Sequence, residues 1–221
     1  MTKRHDPQPL EPEELRAILQ VPNKRAPTGL RNRVMVALMA ESGLRVGEVV
    51  ALRMRDLNAK RDRLRIVDGK GGDRTVYLNE GGTARLVAWL AEREKHVPRS
   101  QFVFPQIRSG AYRHPNATDP KAAGVKMAGT KLSTSYVRAL TARLGRKAGV
   151  ERRTNPHAFR HTAATLMVEQ DYSLPEVQAM LGHRNLATTS IYLHVRDARL
   201  AERVKTAKGI DDRPASALKE T

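Results

Sequence analysis

The stretch Thr154-Asn155-Pro156-His157-Ala158-Phe159-Arg160-His161 carries a structural and a chemical signal at once. Proline suits a first helical turn, where an N–H has no intrahelical partner, and Asn155 or Thr154 before it can cap the open amides. The reading is a helix from Pro156 through Val168. His157 and Arg160 stand three residues apart on it, so both side chains can reach one anion. His157 and His161 are four apart and could in principle hold zinc. The zinc-protease pattern would need glutamate where Ala158 stands, and no third ligand follows at the usual spacing. No metal or other cofactor is therefore expected, and His161 reads as packed or hydrogen-bonded beside the site.

Helical patterns lie on both sides of this stretch. Ser133 to Ala148 repeats apolar residues at Val137, Leu140 and Leu144, and Leu174 to Leu181 is stopped by Gly182. A short helix is expected near Leu186 to Tyr192 and another over Asp197 to Ala207. Toward the N-terminus, Glu11 to Leu19 has Pro12 in its first turn, and Val21 to Gly29 is expected to break it. Leu30 to Ser42 follows with Gly43 as its stop, then Val46 to Leu52 and, later, Thr83 to Lys95.

Between these helices the period changes to two. Arg63 to Val67 and Arg74 to Leu78 read as strands, and Asp68-Gly69-Lys70-Gly71-Gly72-Asp73 as the turn of a β-hairpin. Phe102-Val103-Phe104 is a short buried run, and Gln106 to Thr130 reads as a polar loop or insertion. The expected fold class is α+β, mainly α-helical, with one small antiparallel sheet. One domain over 10–207 is expected, with a flexible arm over 1–9 and a polar tail over 208–221.

The chain has 221 residues, with 40 Lys plus Arg against 23 Asp plus Glu, a formal net charge of +17. Such an excess opposes compaction and attracts polyanions. Because 40% of the residues are hydrophobic, the picture is a folded body with a positive face toward nucleic acid rather than a disordered tail. The absence of cysteine excludes disulfides, thiolate zinc sites and thiol catalysis. Met1 to Pro7 leads into no apolar segment, and the longest apolar run, Val34 to Ala40, is too short to span a bilayer. A cytoplasmic protein, nucleoid-associated when on DNA and without a membrane partner, is the expectation.

Four pieces now stand in order: Ser42-Gly43-Leu44-Arg45-Val46-Gly47-Glu48, Gly69-Lys70-Gly71, Pro156-His157-Ala158-Phe159-Arg160-His161, and Leu181-Gly182-His183-Arg184 with Thr188-Thr189-Ser190-Ile191-Tyr192. Their types, order and gaps resemble the catalytic domain of the tyrosine recombinases, the phage integrase family, in the style of bacterial, archaeal and plasmid recombinases. The resemblance spans Leu10 to Val204. It implies that Arg45 and Arg160 hold a scissile phosphate, Lys70 is the hairpin lysine, and His157 precedes the second arginine. His183 would take the later His/Trp position, Tyr192 would be the nucleophile, and Glu48 the supporting acid near Arg45. It further implies a 3′-phosphotyrosyl intermediate, a free 5′-hydroxyl, and rejoining through a Holliday junction in a homotetramer on double-stranded DNA.

The chemistry can be reasoned independently. A phosphodiester under attack gathers negative charge on its equatorial oxygens, and guanidinium forks match that geometry better than ammonium groups. A phenol, with a reference pKa of about 10, needs a base beside it at neutral pH, and His157 is the natural candidate. Lys70 could protonate the leaving 5′ oxygen, and His183 would donate to a nonbridging oxygen.

Each residue also has a plainer reading. Tyr192 beside Ile191 and Leu193 could be half-buried packing, Arg45 a partner of Glu48, and Lys70 a solvated turn residue. Among the other basic residues, Lys126, Lys131, Arg138, Arg152, Arg153 and Arg184 are candidates for backbone phosphates. Asp73 stands where relatives commonly have a second basic residue at the turn. Relatives also carry an N-terminal helical core-binding domain, expected to be absent here because the catalytic pattern starts at Leu10. Half a clamp predicts weak, salt-sensitive binding, monomeric behaviour in solution, and an accessory or core-binding partner. Two other functions fit the same motifs: relaxation of DNA by a tyrosine-type topoisomerase, and non-catalytic DNA binding by a regulator on this fold.

Overall fold

The computed structural model describes residues 9–67, 72–108, 110–113 and 123–182. Its centre is α2 (Pro27–Ser42), in which every residue from Val34 to Ala40 is buried. A helix apolar on all sides must be surrounded, and α1 (Pro12–Gln20), α3 (Val46–Ala51), α4 (Glu80–His96) and α6 (Pro156–Glu169) pack around it. Against α3 and α6 lies α5 (Thr134–Lys147), and α7 (Leu174–Leu181) closes on α6 through a small second cluster of Ala164, Met167, Val168, Val177 and Leu181.

The first hairpin pairs β1 (Arg63–Ile66) with β2 (Arg74–Tyr77) antiparallel, in the register Leu64 opposite Val76 and Ile66 opposite Arg74. Alternation buries Leu64, Ile66 and Val76 on one face. Its turn at Lys70 lies outside the described residues, as do the expected helices near Leu186 and Asp197.

Three expectations are corrected. The segment read as a breaker before Leu30 is partly helix: α2 starts at Pro27, in its first turn. Gly29 serves close packing, since a Cβ there would sit 2.0 Å from the Asn23 carbonyl oxygen. Similarly, α4 starts at Glu80 rather than Thr83, because the Asn79 side chain accepts from the Gly82 amide at 2.7 Å and caps a first turn containing two glycines. The polar stretch read as a loop contains a second hairpin, β3 (Gly110–Arg113) with β4 (Ala123–Lys126). Strands of four residues with a glycine in each leave too little alternation to read.

Two buried arginines were also hidden in the charge count. Arg31 donates to the Pro105 carbonyl, the Tyr136 hydroxyl and Asn32 Oδ1, tying α2 to α5. Arg93 donates to the Phe102 and Ser100 carbonyls. Beside it Trp89 stacks on Phe104 and donates to the Val103 carbonyl at 2.8 Å.

Candidate active site

Helix α2 ends at Gly43, whose φ of 65° is the left-handed conformation glycine favours. The chain reverses there into Arg45, the residue capping α3. Glu48, in the first turn of α3, accepts from the Arg45 amide at 2.8 Å and from Arg45 Nη1 at 3.0 Å. One carboxylate thus caps the helix and aims the guanidinium of the residue before it.

Arg160 reaches the same region from α6. It is 7% exposed and donates to the Gly43 carbonyl at 2.5 Å and the Leu181 carbonyl at 2.7 Å. Asn155 caps α6 by accepting from the Ala158 amide at 2.9 Å, one of the two caps expected from the sequence. His157, one residue after Pro156, is exposed at the helix mouth.

Arg45, His157 and Arg160 all line a cleft of about 820 Å³. Arg53, Arg55, Arg65 and Arg138 line it too, with Glu48 and Asp56 as its acidic members among the described residues. Guanidinium groups in that excess make the cleft an anion site. A neighbouring cleft of about 530 Å³ shares Val46, Arg138, Pro156 and His157 with it and adds Arg146, Arg152 and Arg153.

Arg74 was overlooked in the sequence. From β2 it grips both oxygens of Glu48, Nη1 to Oε1 and Nη2 to Oε2, each at 2.8 Å, and Nε donates to the Met180 carbonyl at 2.9 Å. Its position two residues before buried Val76, on the same strand face, was the available signal. Burial alone would push the Glu48 carboxyl up, but hydrogen bonds from Arg74 and Arg45 and the Arg74 charge carry it below the usual carboxylate range.

The other sequence candidates divide. His161 is half-buried on α6, one residue past Arg160. Arg138 and Arg153 are exposed on the clefts, Lys131 is exposed, and Lys126 lies on β4. Arg152 is turned inward: it donates to the Pro9 carbonyl at 2.5 Å and pairs with Glu14 at 3.1 Å, so it braces α1 against the loop before α6. Asp73 lies 3.5 Å from Arg65. Lys70, His183, Arg184 and Tyr192 lie outside the described residues. Within the described part, the structure joins Arg45 and Glu48, at the start of α3, with His157 and Arg160 of α6, although Glu48 and His157 stand 109 residues apart in sequence.

Known proteins share this arrangement of elements. Tyrosine recombinase XerC of Proteus mirabilis is 30% identical over 200 residues, covering 90% of this chain and 58% of that protein. XerC of Vibrio campbellii is 32% identical over 202 residues, with coverages of 90% and 58%. The chain therefore spans under two thirds of the length of these curated relatives. Among solved structures, XerA recombinase superposes with a TM-score of 0.71 at 24% identity, covering 95% of this chain and 66% of that one. XerH site-specific recombinase, in a post-cleavage complex with a palindromic difH substrate, gives 0.65 at 27% identity, with coverages of 90% and 52%. Residues 8–199 match the phage integrase family, which covers the helices, the first hairpin and the basic cleft alike; the chain belongs to that family.

Proposed function

We propose that the chain is the catalytic part of a site-specific DNA recombinase that cuts and rejoins DNA by transesterification. The observation that carries this reading is the convergence of Arg45, His157 and Arg160 on one arginine-rich cleft. Arg45 and Arg160 hold the nonbridging oxygens of the scissile phosphate and stabilise the charge that builds there in the transition state. Both are already oriented by protein acceptors, so little reorganisation is needed when DNA arrives.

The phenolic oxygen of Tyr192 attacks phosphorus, and the bond to the 5′ oxygen breaks. His157 takes the phenolic proton, Lys70 gives one to the 5′ oxygen, and His183 donates to a nonbridging oxygen. The products are a 3′-phosphotyrosyl bond and a free 5′-hydroxyl. Attack by a different 5′-hydroxyl reverses the step, so joining needs no nucleotide cofactor. Glu48 keeps Arg45 in place, and His161 supports α6 beside Arg160. Lys126, Lys131, Arg138, Arg153 and Arg184 meet backbone phosphates of double-stranded DNA. Exchange proceeds in a homotetramer on cytoplasmic DNA. The described part has no helix long and apolar enough to cross a membrane.

The test is a pool of nicked suicide duplexes with a randomised central site, incubated without added metal and resolved on a denaturing gel. Wild type should form a covalent protein–DNA adduct, and Tyr192→Phe none. Tight DNA binding with no adduct from any duplex in the pool would overturn the reading.

A further inference from the structure

We infer that Arg74 is a positioning residue that fixes the phosphate-binding arginines through a closed ring of hydrogen bonds. The inference rests on the reading of the cleft as a phosphodiester site. Arg74 does not line that cleft. Its side chain is 8% exposed and that of Glu48 6%, so neither reaches a substrate as freely as Arg45, at 26%.

The ring can be followed bond by bond. Arg74 donates to both Glu48 oxygens, Glu48 accepts from Arg45 Nη1, and Arg45 Nη2 donates to the Gly182 carbonyl at 2.8 Å. The backbone then runs back from Gly182 through Leu181 to Met180, whose carbonyl accepts from Arg74 Nε at 2.9 Å. Arg160 joins at the middle of this run, on the Leu181 carbonyl. Three arginines from three elements therefore take three consecutive carbonyls at the end of α7. Those carbonyls stand at the C-terminal end of α7, the negative end of the helix dipole, which favours cations. Contact is close: a Cβ on Gly182 would lie 2.9 Å from Arg74 Cδ.

Two consequences follow for Arg45. With both carboxylate oxygens clamped by Arg74, Glu48 cannot turn, and the Arg45 guanidinium inherits that rigidity. Two cations also share one carboxylate, so Glu48 orients Arg45 without neutralising it fully and leaves positive field for an anion. A planar fork is needed to span a carboxylate and a carbonyl together; an ammonium is a point charge and cannot.

The experiment uses the full chain and the nicked duplex that wild type cleaves fastest in the pool above. Single-turnover adduct formation, DNA affinity and amide exchange over 174–182 are measured for Arg74→Gln, Arg74→Lys, Glu48→Gln and the double variant Glu48→Gln with Arg74→Gln. A loosened arginine pair should slow adduct formation by about 100-fold while DNA affinity stays within about 3-fold. Arg74→Lys should recover less than about 10-fold of that loss. The double variant should be no more than about 3-fold slower than the slower single variant, because both changes open the same ring. Amide exchange at the end of α7 should quicken in Arg74→Gln.

Wild-type cutting by Arg74→Gln, full rescue by Arg74→Lys, or losses that multiply in the double variant would overturn the inference. If Arg74→Gln does not fold, Arg74→Lys decides by the same rate criterion. Wild type without any adduct is the failure of the recombinase reading instead. Amide exchange on an unnicked duplex-free sample then judges the ring alone, quickened exchange supporting it and unchanged exchange overturning it.

Discussion

Glu48 stands between two guanidinium groups, so its ionisation links the cleft to pH. Its folded value lies below the ordinary carboxylate range, through hydrogen bonds and charge that outweigh burial. A carboxyl lowered on folding contributes stability that is complete above its unfolded value of about 4.3 and lost as pH falls through the folded one. Glu48→Gln should therefore destabilise the fold by about 2 kcal/mol at pH 7, the scale of hydrogen bonds to charged groups. The gap from wild type should narrow as pH falls below the unfolded value of about 4.3 and close only beneath the lower folded one; thermal unfolding from pH 7 down into the acid range measures both. Arg45→Lys tests the fork itself. Lysine keeps the charge but cannot hold Glu48 and Gly182 while meeting a phosphate, so adduct formation should fall by about 100-fold or more with DNA affinity little changed. Equal losses in rate and affinity would place Arg45 in binding alone.

At the scale of elements, the site depends on where helices begin and stop. Asn155→Ala removes the cap of the helix carrying His157 and Arg160 and should cost about 1 kcal/mol in denaturant unfolding. Gly182→Ala should cost about 1–2 kcal/mol for its left-handed backbone alone, and a slower adduct rate as well, because the new methyl meets Arg74. Asn155 before Pro156, the apolar spacing of Val137, Leu140 and Leu144, and the stop at Gly182 made α6, α5 and α7 legible in the sequence to within a residue or so. The starts of α2 and α4 were not legible. Their glycines read as breakers locally, whereas Gly29 meets the Asn23 backbone and Gly82 meets the cap Asn79. For the cleft, spacing along one helix exposed His157 and Arg160. Arg74 went unread, and Arg152 was read as a candidate for backbone phosphates, because a basic residue looks the same in sequence whether it faces solvent or an internal carboxylate.

Across the whole molecule, the charge of +17 is not one uniform field. Arg31, Arg74, Arg93 and Arg152 have partners inside the fold, as Arg45 and Arg160 do at the cleft, whereas Arg138 and Arg153 are exposed on the clefts. DNA affinity should fall steeply with salt, and Arg138→Ala and Arg153→Ala should each lower the slope of log affinity against log salt by about 1. Arg152→Ala should leave that slope unchanged and instead cost about 1–2 kcal/mol of stability, which separates the two kinds of arginine in one titration and one melt. The single tryptophan offers a convenient readout for the second measurement. Trp89 is fully buried on Phe104 with its indole N–H on a backbone carbonyl, and it lines neither cleft. Its fluorescence should be blue-shifted in the native protein, move red only when the interior opens, and remain silent while nucleic acid is added, so unfolding can be followed optically even in samples saturated with ligand.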